Sequence, residues 1–267
     1  MSGTAGANGR GGFFLSNLPF AMAAGLGVVP GATRVAILGH NPDVDTGTDP
    51  EDVWEGGGLY PFLAAAATLE VVSTSVNDTA AGTGARTVLV SGLNSSYATI
   101  TEVVILNGTT PVSTVNQFLR VNIFTTTSAG SGEQNAGDIT LRVAGGGTVQ
   151  SIMRAGYGFG RSAIYTVPAG FTLFITSAVM GVFAPDPKIT NGASFGFFQR
   201  SSTGNRRIPL EFQVTSLTPY MHETKEGIVL SERTDFTIRC VTTQQDNTDV
   251  TAAAAGILFN NAQLVGM

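Results

Sequence analysis

The chain has 267 residues, of which only 12% are charged, with a net charge of −5 and one cysteine, Cys240. This length allows one large β domain or two smaller ones, and the scarcity of charge excludes disorder of the solvated, self-repelling kind. The negative balance argues against nucleic acid as a partner, because phosphate binding needs a concentrated positive face, and a lone cysteine excludes an internal disulfide and a cysteine-built zinc site.

A soluble monomer normally spreads charged residues over roughly a quarter to a third of its surface. A chain this poor in charge is expected to cover part of its surface with a neighbour. Residues 1–12 are nearly all Gly, Ala, Ser, Thr and Asn, and an apolar stretch follows over residues 13–31. A secretory signal would need an unbroken apolar core, which Ser16, Asn17 and Pro19 interrupt. A membrane-spanning helix needs about 20 consecutive apolar residues. The remaining reading is an extended apolar arm, residues 1–32, lying on a neighbouring subunit through Phe13, Phe14, Leu15, Leu18, Phe20, Met22, Leu26, Val28 and Val29.

A short strand at Arg34–Leu38 precedes an acidic loop holding Asp43, Asp45, Asp49, Glu51 and Asp52. Asp43, Asp45 and Asp49 are the candidate metal ligands, as hard oxygen donors at close spacing. Gly47 stands where an EF-hand loop needs a third acid or amide, and no glutamate closes a twelve-residue loop. A solvated acidic loop with no metal is the expectation. Next come Trp54, the only tryptophan, and three glycines, Gly56 to Gly58, beside Tyr60 and Phe62.

Strands are predicted at Leu69–Ser75, Arg86–Ser91, Thr99–Leu106, Val112–Thr125, Asp138–Val143 and Thr148–Met153, with turn residues between each pair. Asn107-Gly108 predicts a type I′ hairpin. Gly156–Gly160 is read as a crossing into a second β unit, with strands ending at Val167 and at Phe171–Phe183, Ala193–Arg200, Arg206–Val214, Thr234–Thr243 and Ala252–Phe259. Alternation puts Phe236, Ile238 and Cys240 on one face, so Cys240 is expected to be a buried small hydrophobe. The fold class is all-β: two jelly-roll-like β-sandwiches in tandem, residues 33–160 and 161–267, behind the arm of residues 1–32.

Catalytic patterns are missing. His40 and His222 stand far apart in sequence, the Gly-x-Ser-x-Gly spacing of Gly192–Gly196 falls in a predicted strand and not at a strand-to-helix elbow, and Cys240 sits in a core pattern. An acid pair such as Glu211 with Asp235 could imitate a glycosidase, but a sequence does not give their separation. No catalytic residue and no cofactor are assigned.

Several stretches stand together in a distinctive order: Val53-Trp54-Glu55-Gly56-Gly57-Gly58-Leu59-Tyr60-Pro61-Phe62, Leu69–Ser75, Asn77–Arg86, Thr101–Val112 and Ile164–Gly170. This run, residues 53–175, resembles structural proteins of tailed-bacteriophage virions, small β-rich minor capsid, decoration, head–tail or tail subunits. The resemblance implies a non-enzymatic building block that assembles in the host cytoplasm and resides in the virion. Its implied partners are copies of itself and other virion proteins, with no membrane span. The rival reading is a carbohydrate-binding adhesin or tail-fibre module using Trp54, Tyr60, Tyr97 or Tyr157 as contact aromatics.

Overall fold

The computed structural model describes residues 20–47, 50–183, 192–201, 206–215 and 219–263. A short helix α1 (Phe20–Gly25) leads into β1 (Ala32–Val44), β2 (Glu51–Asp52), β3 (Ala67–Ser73), β4 (Ala85–Leu93), β5 (Thr99–Ile105), β6 (Val112–Phe118), β7 (Arg120–Ala129), β8 (Ile139–Val143) and β9 (Val149–Met153). The chain continues through β10 (Ile164–Thr166), β11 (Phe171–Phe183), β12 (Gly192–Arg200), β13 (Arg206–Thr215), β14 (Tyr220–Leu230), β15 (Asp235–Thr243) and β16 (Thr248–Asn260).

The all-β expectation holds, but the two sandwiches are nested, not in tandem. One sheet runs β1-β16-β11-β14, and its partner runs β10-β15-β12-β13 with β2 also paired to β15. Every pairing in them is antiparallel. That order is a jelly roll, two Greek-key sheets packed face to face, in which β2 and β10 share one edge position. Between Trp54 and Ser162, which bridge to each other, the chain leaves to build a second sandwich from the sheets β6-β3-β8-β9 and β5-β4-β7. The expected boundary therefore fails for residues 33–54. β1 pairs along nearly its whole length with β16, from Ala32 opposite Phe259 to Val44 opposite Thr248, because its alternating Val35 and Ile37 complete the C-terminal core and not the inserted one.

The two cores are separate. Phe195, Phe197, Phe236, Leu173 and Met180 fill the jelly roll, while Leu69, Phe118, Ile139, Leu141 and Met153 fill the insert. Each side chain buried this completely contributes ~1.5–3 kcal/mol gross. The stems of the insert are tied together, Ala163 N donating to Val53 O at 2.8 Å. They cross β1 at Gly39, where a Cβ would stand 2.2 Å from Val53 O.

Three local expectations are corrected. The hairpin at Asn107-Gly108 does not form: β5 pairs with β4 and β6 with β3, so the turn carries the chain between sheets, with Gly108 alone at positive φ, +60°. The single strand Val112–Thr125 breaks at Leu119 and changes sheets, β6 joining β3 and β7 joining β4. The arm is helical, not extended, over Phe20–Gly25: Ala and Met favour the helix, and Gly27, at φ +70°, ends it. There Val28 N reaches Ala23 O and Gly27 N reaches Ala24 O, the paired bonds of a Schellman cap.

Candidate assembly surface

Charge is rare in this chain, and most of its described ion pairs lie where the insert meets the jelly roll. Arg120 opens β7 and grips Asp235 of β15 through Nε and Nη2, at 2.8 and 3.1 Å. Arg200 of β12 meets the same carboxylate at 2.9 Å, and the Thr166 hydroxyl donates to it at 2.7 Å. The Phe62 ring packs against both guanidiniums, at 5.0 and 4.9 Å. Asp52 pairs with Arg239 and accepts the Tyr60 amide at 2.7 Å. A second node centres on buried Glu55, which accepts from Arg154 Nε at 2.8 Å, meets His40 Nδ1 at 2.9 Å and also contacts Arg161.

These contacts set the protonation states. Hydrogen bonds to Asp249 and Glu55 hold the His40 pKa up at about 9, against the opposing effect of burial. Burial alone would raise Glu55, but hydrogen bonds from His40 and Arg154 and the charge of Arg161 hold it below the ordinary carboxylate range. A buried pair of this kind gains little against an apolar substitute but is expensive to break on one side. The seam therefore fixes the orientation of the insert.

The apolar surface lies elsewhere. α1 packs Ala24 against Ala32 and Ile257, and Phe20 stacks on Phe259 of β16 with ring centroids 5.7 Å apart. Phe20, Met22, Leu26 and Val28 nevertheless remain exposed, Leu26 at 65%. A groove of about 540 Å³ opens beside the helix, between Met22 and Leu26 on one wall and Thr176, Ala255 and Ile257 on the other.

The structure scatters the other candidates. Of the arm residues, Val29 is partly buried in the α1 contact, while Phe13, Phe14, Leu15 and Leu18 lie outside the described residues. Trp54, 4% exposed, and Tyr60 are buried against Ile164 and stack edge-on at 5.1 Å, so they offer no ring face to a sugar. The Tyr60 hydroxyl donates to Gln150 O. Tyr97 is half-buried under Arg120 and Arg233. Tyr157 is exposed, with the Arg161 guanidinium 3.9 Å over its ring.

Asp43 is exposed, Asp45 accepts the Asn247 amide at 3.0 Å, and Asp49 lies outside the described residues. Glu51 is buried and accepts from Gly58 N and Asn41 Nδ2. Among the described residues no three His, Cys, Asp or Glu side chains are grouped to hold a metal ion. Cys240 is buried in the jelly-roll core, its thiol pushed up to about 12 chiefly by burial. Glu211 is exposed while Asp235 is buried between two arginines. No helix among the described residues is long and apolar enough to cross a membrane.

Sequence reasoning missed the ionic seam. Its signal was there: Arg120 is the one charge of β7, and Asp235 and Arg239 are the two charges of β15, and a charge set in an apolar strand needs a buried partner.

No protein-family model matches the chain, and no curated protein matches it. Among solved structures, infectious bursal disease virus of the Gt strain is similar at 12% identity and a TM-score of 0.25, over 92% of this chain and 79% of that one. The Gx strain structure gives 12% and 0.25 over 86% and 72%, and the VP2 subviral particle of the same virus gives 10% and 0.20 over 88% and 73%. TM-scores of this size carry no argument about this chain, so the jelly-roll assignment stands on strand order alone.

Proposed function

We propose that the chain is a non-enzymatic structural subunit of a virion, of the tailed-bacteriophage kind that residues 53–175 resemble, and that it associates with copies of itself. Jelly rolls serve as capsid subunits but also as lectin and cupin domains, so topology alone assigns nothing. The observation that carries the reading is the exposed apolar surface formed by α1 and the sheet beneath it. Such patches on soluble proteins mark interaction sites. Burial there yields about 25 cal/mol per Å² removed from water. The ionic seam suits the same role, since a shell subunit must present its insert at a fixed angle to its neighbours.

The test is sedimentation of the purified chain over a concentration series, with negative-stain imaging of the heaviest fraction. Closed oligomers or regular particles are the expected result. A monomer at every concentration would overturn the self-association.

A further inference from the structure

The two outer faces of the jelly roll differ in what covers them. On the β10-β15-β12-β13 sheet, the outward Asp235, Thr237 and Arg239 are all buried beneath the lead-in to the insert and its ion pairs. On the β1-β16-β11-β14 sheet, strand register aligns outward residues in cross-strand rows. One row is Leu38, Ala253, Val179 and Met221, and another is Arg34, Ile257, Phe174 and Val229. Met221 is 64% and Val229 56% exposed. α1 covers Ile257 and Phe259, over β16, and leaves the β11–β14 half of the face open. A sheet with both faces apolar is stable only when both are covered.

We infer that this face is the contact with a second copy of the chain, related by a two-fold axis running along the strands between β16 and β11. The inference rests on the self-association proposed above and names its surface. Such an axis lays the β1–β16 half of one copy over the β11–β14 half of the other, so the partner's α1 covers the half that a copy's own α1 leaves open. The exposed Met22 and Leu26 then find Phe174 and Val229 across the contact. Charge fits the same arrangement. Arg34 is exposed on the edge strand β1, and Glu223, opposite Ser177, is exposed on the edge strand β14. The axis brings each Arg34 to within one row of a partner Glu223, an offset of ~7 Å along the strand that long side chains span. Residue i meets j and j meets i, as an isologous contact requires.

The experiment is light scattering over a concentration series on the full chain, on Arg34→Glu, on Glu223→Arg and on the double variant, with melting curves for each. Both positions are exposed, so the fold is expected to be kept. By symmetry each single reversal sets two like-charged pairs against each other and is expected to weaken the dimer roughly tenfold or more, with the double variant restoring it. A wild-type oligomer whose mass and affinity ignore the single reversals overturns this interface and leaves self-association standing. So does a double variant that fails to recover. A wild-type monomer at all concentrations overturns both readings. A monomer that binds a hydrophobic dye only after residues 1–19 are removed shows the chain's own first residues on this face, and also overturns the inference.

Discussion

His40 offers the sharpest quantitative prediction. Its ring bridges Glu55 at 2.9 Å and Asp249 at 3.0 Å, and its pKa stands at about 9 against an ordinary 6.5. A folded-state pKa raised above the unfolded value means that protonated His40 stabilises the fold. That stability is fully present below about pH 6.5, declines as pH rises, and is lost above about pH 9. At about 1.4 kcal/mol per pKa unit the shift corresponds to roughly 3 kcal/mol. Solvent screening at the half-exposed Asp249 lowers the expected value to ~2–3 kcal/mol. The chain has only two histidines, so an NMR titration of the ring protons, assigned by His40→Asn, resolves each one. His40 is expected to titrate near pH 9, and the stability advantage of the wild type over His40→Asn is expected to vanish between pH 6.5 and 9.5. A His40 midpoint near 6.5, or stability curves that stay parallel across that range, would refute the bridging role.

Three further outcomes follow from the same geometry. Arg120→Ala strips Asp235 of its bidentate partner and is expected to destabilise by about 3 kcal/mol in chemical denaturation, whereas Arg142→Ala, which removes an ion pair inside the insert with Arg142 partly exposed, is expected to have a smaller effect. Gly39→Ala places a methyl 2.2 Å from Val53 O and 2.4 Å from Ala163 N; a loss of at least about 2 kcal/mol is expected, and an unchanged melting temperature would contradict the close crossing of the insert stems. Cys240, buried with its thiol pushed up to about 12, is expected to react with a thiol reagent only after denaturation, and rapid labelling of the native protein would place it elsewhere than the core.

Much of this fold was legible because β-strand periodicity is local. The alternation of Phe236, Ile238 and Cys240 gave both the strand and its buried face, and all three are in the core. Pro168-Ala169-Gly170 turns the chain as its residues require, with Gly170 at φ +78°. What stayed hidden depends on partners distant in sequence. Nothing in residues 32–44 announces that they pair with residues 248–260, so the order of strands along the chain suggests a tandem arrangement where the fold is nested. Asn107-Gly108 has hairpin chemistry but joins strands that belong to different sheets. β14 is not legible in the sequence because its charged centre and Gly227 disguise the alternation of Met221, Glu223 and Val229 with inward residues. The aromatics Trp54 and Tyr60 look like ligand platforms in sequence, but only the fold reveals that Ile164 and Val149 cover them.

The most direct test of the assembly reading is the solution mass of the chain by size exclusion with light scattering, whole and lacking residues 1–31. Removal of those residues takes away α1 and leaves β1 and the jelly-roll core in place. A defined oligomer that falls to a smaller species on truncation is the expected result. The same mass in both forms, monomeric or not, would contradict the claim that α1 and the surface beside it hold the subunits together.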